Sequence, residues 1–202
     1  MVNVGVIDLG IGNVVSIKNA LYTIGYDCTI IKESSLVQDF THLILPGVGA
    51  FDRGMREINR LGFGKQLKIF KDNSKPILGI CLGMQLLFDE SEEGSEKGLG
   101  LIAGKITKIL PVTNLRIPNT GWHSVCQVKK NLIIDAESDF RAYHNHSFAF
   151  QADHSQEAFL ALRDVPSVIV GVASEKVIGL QFHPEKSHKA GLELLKNFCN
   201  LS

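Results

Sequence analysis

The stretch Gly79-Ile80-Cys81-Leu82-Gly83 constrains the fold of this chain more than any other. The apolar run after Pro76 predicts a buried strand that ends at the cysteine, and Met84–Phe88 is typical of the start of a helix. Glycines on both sides of Cys81 allow a sharp turn from strand to helix, because glycine adopts backbone angles closed to other residues. This pattern holds a reactive side chain exposed at a helix start, where the helix dipole favours a thiolate.

A second stretch, Gln181-Phe182-His183-Pro184-Glu185, offers a base for such a cysteine. In an extended segment His183 and Glu185 point to the same side, and Pro184 favours an extended segment. Glu185 is then able to orient the imidazole, as in a nucleophile–base–carboxylate triad. The two stretches together predict an enzyme that transfers an acyl group through a cysteine.

Each of these residues also has a plain structural interpretation. A cysteine after an apolar strand is usually a small buried side chain. A single histidine is more often a hydrogen-bonded structural residue than a base. The combination of glycines on both sides of the cysteine, a sharp strand-to-helix turn (an elbow) and a distant His-x-Glu pair favours a catalytic role over a packing role.

The composition argues against several other classes of function. Lys+Arg and Asp+Glu number 21 each, and this balance predicts no electrostatic footprint for nucleic acid. No segment is apolar over the length that a bilayer span requires, and the first residues do not form a basic region followed by a long apolar one, so we expect no secretory leader. The 4 cysteines lie far apart without a CxxC spacing, which suits a reducing compartment. We therefore expect a cytoplasmic protein without a membrane or nucleic-acid partner.

His144 and His146 form a His-x-His pair that is able, in principle, to bind a metal ion. Without a third ligand nearby, a structural role in a strand or loop is favoured. We accordingly expect neither a metal nor an organic cofactor.

The order of the elements predicts an α/β fold with an open mixed sheet. Up to about residue 104, apolar strands alternate with helices, which implies a mostly parallel core with helices on both faces. Beyond it, short strands without clear helices between them imply an antiparallel extension of the same sheet. Strands are expected at 2–7, 28–31, 42–45, 77–80, 106–110, 122–128, 141–150, 159–162, 168–172 and 177–182, and helices at 16–22, 51–61, 65–71 and 190–199. No repeat or linker divides the chain, so residues 1–202 are expected to form a single domain.

Three glycine-rich loops, Asp8–Asn13, Pro46–Gly49 and Gly79–Gly83, follow predicted parallel strands. Ligands of open α/β sheets bind beyond the carboxyl ends of the strands, so these loops are expected to converge on one crevice. The first is a weak match to a dinucleotide loop, because Val15 replaces the third glycine. The second is either a simple turn or one arm of an oxyanion hole, with the Leu82 amide as the other arm.

The two catalytic stretches resemble those of the class I glutamine amidotransferases. Three further stretches narrow the resemblance to the glutaminase subunits of imidazole glycerol phosphate synthase, namely Leu45–Phe51, Ser91–Gly94 with Gly98–Ile102, and Gly12–Ser16. The resemblance covers essentially the whole chain. It implies that Cys81 attacks the side-chain amide of glutamine, while His183 takes and returns the proton and Glu185 orients the ring.

The same resemblance implies a binding site and a partner. It assigns an oxyanion hole to Val48, Gly49 and Leu82, contacts with glutamine to Gly47, Gln85, Glu93, His146, Ser147 and Phe148, and a partner-facing surface to Asn119, Trp122 and Lys186. The implied partner is a (β/α)8 barrel cyclase subunit, bound as a heterodimer. Ammonia passes to it for the synthesis of imidazole glycerol phosphate and an aminoimidazole carboxamide ribotide in histidine biosynthesis, and glutaminase activity is low until the partner binds its nucleotide ligand.

The segment Arg116–His123 departs from the family pattern, which usually reads Pro-His-Met-Gly-Trp-Asn. Asn119, Thr120 and His123 replace the histidine, methionine and asparagine, and Phe148 and Phe150 stand where tyrosines are common. A second interpretation is therefore a paralogous glutaminase that feeds ammonia to another synthase, for example for an amidinated surface sugar. A non-catalytic regulatory module is disfavoured by the intact triad, and a cysteine peptidase does not explain Gln85 and Glu93.

Overall fold

The computed structural model describes residues 2–111, 115–134, 139–151 and 156–202. Its strands are β1 Val4–Ile7, β2 Cys28–Ile31, β3 His42–Gly47, β4 Ile77–Cys81, β5 Glu90–Ser91, β6 Lys105–Lys108, β7 Asn119–Gln127, β8 Phe140–His146, β9 Phe148–Gln151, β10 Ala158–Leu162, β11 Val165–Ser174 and β12 Val177–Leu180. Its helices are α1 Val14–Thr23, α2 Phe51–Leu61, α3 Phe63–Asp72, α4 Leu82–Leu86 and α5 His188–Cys199, with 3-10 turns at Ser34–Asp39 and Pro184–Lys186.

The first half of the sheet is parallel, in the order β2-β1-β3-β4-β12. All of the residues of β1, β3, β4 and β12 are buried, as expected for strands covered by helices on both faces. Parallel strands end at the same edge, so the loops after β1, β3 and β4 meet there. The expected convergence of the three glycine-rich loops is confirmed, since the Val48 amide bonds to the Ile11 carbonyl and Gly47 lies beside Cys81 in the register.

The second half continues the sheet antiparallel, in the order β12-β11-β10-β7-β8. This confirms the predicted fold class. The single strand expected at 141–150 is interrupted at Ser147, because β8 pairs with β7 whereas β9 crosses to pair with β11 and β6. The corner between β8 and β9 thereby turns into the edge where the parallel strands end.

Helices cover the two faces of the sheet. On one face α2 buries Phe51, Met55 and Ile58, spaced as one side of a helix. On the other face α1 and α5 join a separate apolar cluster that includes Leu21 and Phe198. No helix in the described ranges is long and apolar enough to cross a membrane.

Candidate active site

Cys81 ends β4 and stands at a strained position directly before α4. Its φ of 55° and ψ of −113° are rare for a residue with a side chain, and such a conformation costs about 1–3 kcal/mol. The flanking glycines act differently from our expectation, because the left-handed angle falls on the cysteine. A Cβ at Gly83 would overlap the Leu45 carbonyl oxygen, and one at Gly79 would lie 2.7 Å from the Gly83 oxygen. The glycines therefore provide the space in which strand and helix pack around the elbow.

His183 bonds to Glu185 and to the cysteine. Its Nδ1 lies 2.8 Å from Glu185 Oε1, and the two side chains are 6% and 2% exposed. Burial lowers the pKa of His183, but hydrogen bonds to Cys81 and Glu185 and their charges outweigh it and raise the pKa to about 9. The arrangement favours a protonated ring beside the sulfur. The expectation of an extended 183–185 segment was wrong, since a 3-10 turn begins at Pro184 and directs Glu185 back to the ring.

His183 is anchored by strand β8. The His183 amide donates to the Tyr143 carbonyl at 3.0 Å. Ser187 Oγ accepts from the Tyr143 amide at 3.0 Å and donates to the His183 carbonyl at 2.6 Å. These three bonds fix the backbone on both sides of the turn that carries Glu185.

A pocket of about 420 Å³ opens above the sulfur. Its lining is Val48, Gly49, Ala50, Cys81, Leu82, Gln85, Glu93, Pro118, Asn145, His146, Ser147, Phe148 and His183. Ten of the expected site residues are in this set, while Gly47 and Glu185 lie behind it. No sequence pattern assigned Ala50, Pro118 and Asn145 to the pocket; Ala50 and Pro118 reach it from loops, and Asn145 reaches it from the end of β8.

The loop after β3 does not present all of its amides to the pocket. The Val48 amide donates to the Ile11 carbonyl at 2.7 Å, so it does not donate to an oxyanion in this arrangement. Gly49 follows with a φ of 104°, a conformation that favours glycine. The Leu82 amide is the first of α4 and therefore has no partner within the helix.

The loop that carries Glu93 is tied to the start of α2. Glu93 Oε2 accepts from the Phe51 amide at 2.9 Å, and Asp52 accepts from the amides of Ser95 and Glu96 at 2.9 and 3.0 Å. The bonds from the Glu96 and Ser95 amides lower the pKa of Asp52. These contacts fix the Glu93 carboxylate at the rim of the pocket.

The opposite wall is held by Gln85 and His146. Gln85 Nε2 donates to the Phe148 carbonyl and to Gln181 Oε1, both at 3.1 Å, and His146 Nδ1 lies 3.0 Å from the same carbonyl. Burial lowers the pKa of His146 to about 4, so the ring is neutral. Among the described residues no three His, Cys, Asp or Glu side chains are arranged to hold a metal ion. The pair His144 and His146 therefore has no third ligand within that part of the chain.

Of the three residues expected to face a partner, two reach the surface. Lys186 is exposed with its Nζ 5.4 Å from the centre of the Tyr143 ring, and the partly exposed Trp122 stacks on His188 at 4.7 Å. Asn119 is only 1% exposed and bonds to His146. Its assignment to an exposed surface does not fit the structure, because its side chain points to the inner face of the β7–β8 pair.

Comparisons with known proteins give the same picture along the whole chain. The family model for class I glutamine amidotransferases matches residues 5–201. Imidazole glycerol phosphate synthase subunit HisH 2 of Methanococcus maripaludis is 39% identical over 198 residues, covering 96% of this chain and 98% of the relative. Subunit HisH of Wolinella succinogenes is 39% identical over 203 residues, covering 98% and 99%.

Solved structures share the fold at lower sequence identity. The structure of PurLQS from Thermotoga maritima contains a chain that superposes with a TM-score of 0.77 at 18% identity, covering 98% of both chains. A glutamine amidotransferase from Thermotoga maritima gives a TM-score of 0.64 at 15% identity, covering 98% of this chain and 96% of the other. Because the family model and the full-length sequence relatives agree with this fold, the chain belongs to the class I glutamine amidotransferases and, among them, to the HisH subunits of imidazole glycerol phosphate synthase.

Proposed function

We propose that this enzyme hydrolyses glutamine to glutamate and ammonia at Cys81 and passes the ammonia to a partner synthase. The observation that carries the proposal is the strained cysteine at the start of α4, bonded to a histidine whose pKa is raised to about 9 and which Glu185 holds at 2.8 Å. A cysteine paired with a protonated imidazole reacts as a thiolate, which is the nucleophilic form.

The reaction takes place in two halves. The Cys81 sulfur attacks the side-chain amide carbon of glutamine, and His183 gives its proton to the departing nitrogen, so ammonia leaves and a γ-glutamyl thioester remains. His183 then takes a proton from water, which attacks the thioester and releases glutamate and the sulfur. Glu185 accepts the hydrogen bond from the ring and stabilises the imidazolium without taking its proton. The Leu82 amide and the loop after β3 supply the oxyanion donors once the Val48 amide leaves Ile11.

The pocket suits the amino-acid end of glutamine. The Glu93 carboxylate at its rim fits the α-ammonium group, and the 146–148 corner offers backbone amides and the Ser147 hydroxyl to the α-carboxylate. Gln85 supports that corner through the Phe148 carbonyl. The His146 ring acts through the corner, since both of its nitrogens already have partners.

The partner we propose is a (β/α)8 cyclase subunit bound as a heterodimer. It receives the ammonia for imidazole glycerol phosphate and an aminoimidazole carboxamide ribotide in histidine biosynthesis. Full-length relatives named as subunits of imidazole glycerol phosphate synthase support this choice. The Trp122–His188 stack and Lys186 offer an aromatic and cationic surface beside the turn that carries the base. The separated free cysteines fit the cytoplasm, where such a pathway operates.

A second acceptor is favoured by one observation. Asn119, Thr120 and His123 depart from the family pattern, and Asn119 lies inside the hairpin whose outer face carries Trp122. A hairpin repacked in this way fits a paralogous glutaminase that serves a different synthase with the same chemistry on glutamine.

Glutamate formation tests the proposal. The chain is assayed alone and then with a (β/α)8 cyclase of the same organism and its nucleotide ligand, with Cys81→Ala and Cys126→Ala as variants. We expect stimulation by the cyclase, no glutamate from Cys81→Ala and unchanged activity from Cys126→Ala. Wild-type turnover by Cys81→Ala contradicts the chemistry, and full activity without stimulation contradicts the partner.

A further inference from the structure

The inner face of the β7–β8 hairpin carries an unusual polar group behind the substrate pocket. Asn119 pairs with His146 across the two strands, and His144 precedes His146 by two residues on the same face. Asn119, His146 and His144 are 1%, 6% and 0% exposed in that order. Only His146 reaches the pocket, so Asn119 and His144 act on it from behind.

The direction of each hydrogen bond follows from the Phe148 carbonyl. This oxygen only accepts, so His146 Nδ1, 3.0 Å away, carries the proton. The ring is neutral because burial lowers its pKa, and its Nε2 is therefore a bare acceptor. Asn119 Nδ2 at 3.1 Å and His144 Nδ1 at 3.2 Å are then both donors, which share the single lone pair of Nε2.

Two acceptors are left over at the far ends of this network. Asn119 Oδ1 and His144 Nε2 are buried and have no hydrogen-bond partner within the described part of the chain. Leaving acceptors unpaired costs stability, whereas apolar side chains would fill the same space without that cost. Stability of the hairpin therefore does not explain these residues, but their effect on His146 does.

The consequence of the network appears at the Phe148 carbonyl. This oxygen accepts from His146 Nδ1 on one side and from Gln85 Nε2 on the other. The two bonds fix the corner between β8 and β9, where Ser147 and Phe148 line the pocket. A His146 ring that lost its donors at Nε2 would rotate or exchange its proton, and the Phe148 carbonyl would lose one of its two side-chain hydrogen bonds.

We propose that Asn119 and His144 are positioning residues, which hold His146 with its proton on Nδ1 and thereby fix the 146–148 corner for binding the amino-acid end of the substrate. The inference rests on the proposed function, because it takes glutamine as the molecule that this corner binds. It gives Asn119 a role inside the site in place of one on the partner surface.

The test separates the corner from the reactive sulfur. Alkylation of Cys81 by iodoacetamide, followed by peptide mass spectrometry over short times, measures the sulfur and its base. The glutamine concentration that halves this alkylation measures binding at the corner. The variants are Asn119→Leu and His144→Phe, which remove the donors, and His144→Asn, which keeps a donor near the position of Nδ1. His42→Phe is the matched control, because His42 is 3% exposed and hydrogen-bonded at the opposite end of β3.

We expect alkylation of Cys81 within about twofold of wild type in all variants. The half-protecting glutamine concentration is expected to rise roughly tenfold in Asn119→Leu and His144→Phe, as for the loss of one hydrogen bond. It should return close to wild type in His144→Asn and stay unchanged in His42→Phe. Unchanged protection in the first two variants, or an equal loss in His42→Phe, overturns the proposal.

Ring 15N spectra give a second readout that a purely structural role would not move. In the wild-type protein His146, identified by comparison with His146→Gln, should show a protonated Nδ1 and a bare Nε2. The opposite tautomer overturns the inference whatever the binding data are. Failure of glutamine to protect the wild-type sulfur would instead contradict the proposed function, so the two failures are distinguishable.

Discussion

Replacing Glu185 with glutamine tests how the triad works. Glutamine keeps the shape of the side chain and an oxygen for His183 Nδ1, which lies 2.8 Å from Glu185 Oε1, but it removes the negative charge. A hydrogen bond to a charged group contributes about 1.5–3 kcal/mol, and one pKa unit corresponds to about 1.36 kcal/mol. The change should therefore lower the pKa of His183 from about 9 by roughly one to two units.

The size of the effect depends on pH in a way that can be worked out. At pH 8 a ring with a pKa of about 9 is almost fully protonated, whereas a pKa lowered by one to two units leaves about a half to a tenth protonated. The departing ammonia takes this proton, so turnover at pH 8 should fall roughly two- to tenfold. Near pH 6 the His183 ring is protonated in both the wild type and Glu185→Gln, so this part of the loss of turnover disappears. Any loss from poorer orientation of the ring adds a factor that is the same at every pH.

The assay is kcat/KM for glutamine between pH 6 and 10, measured with the partner present. Glu193→Gln, which changes an exposed carboxylate on α5, is the matched control and should follow the wild type. The wild type should lose activity as the pH rises through about 9, and Glu185→Gln should lose it at lower pH. A ratio of variant to wild type that stays constant over the whole range refutes the reasoning.

Three further predictions concern the nucleophile, the elbow and the oxyanion loop. A diazo-ketone analogue of glutamine should label Cys81 and none of Cys28, Cys126 and Cys199, as measured by mass spectrometry. Burial raises the pKa of Cys199 to about 12 and makes that thiol inert. Labelling at another cysteine would contradict the prediction. Gly83→Ala should destabilise the protein by more than about 3 kcal/mol in urea unfolding, because its Cβ meets the Leu45 carbonyl. Gly25→Ala has open space around its Cβ and should cost only about 1 kcal/mol, for its left-handed φ. Similar losses of stability in the two variants would argue against crowding at the strand-to-helix turn. Because the Val48 amide is bonded to Ile11, the isolated chain lacks one oxyanion donor and should turn over about 10²–10³-fold more slowly than the complex; equal rates in the two states would count against it.

The parallel half of the sheet and the elbow could be predicted from the sequence because their signals are local. Apolar strands between amphipathic helices leave few arrangements, and the spacing around Cys81 allows a turn of one kind. The partnership of His183 and Glu185 was predicted correctly, although the backbone between them is a 3-10 turn. A turn and a strand are both able to bring together side chains that are two residues apart, so the sequence does not distinguish the two conformations.

The inner polar group of the hairpin could not be predicted, because polar residues lie on both faces of β7. Asn119 and His123 face one way and Thr120 and Trp122 the other, so alternation gives no sign of which face is buried. The direction of the Val48 amide is likewise invisible in the order of the side chains. Both features depend on neighbours that are distant in sequence, His146 for Asn119 and Ile11 for Val48.

The bonds between Tyr143 and the 183–187 segment affect how precisely the imidazole is positioned relative to the sulfur. The sulfur belongs to β4 in the middle of the sheet, while His183 follows β12, the neighbour of β4, and is also hydrogen-bonded to β8, the last strand on the path. A shift of the outer strand would therefore reach the imidazole directly through the Tyr143 bond, whereas it would reach the sulfur only through the intervening strands. Since a misplacement of about 1 Å is able to cost roughly 10²-fold in rate, a protein that presses on the outside of this hairpin is able to change the rate of the chemistry without touching the substrate.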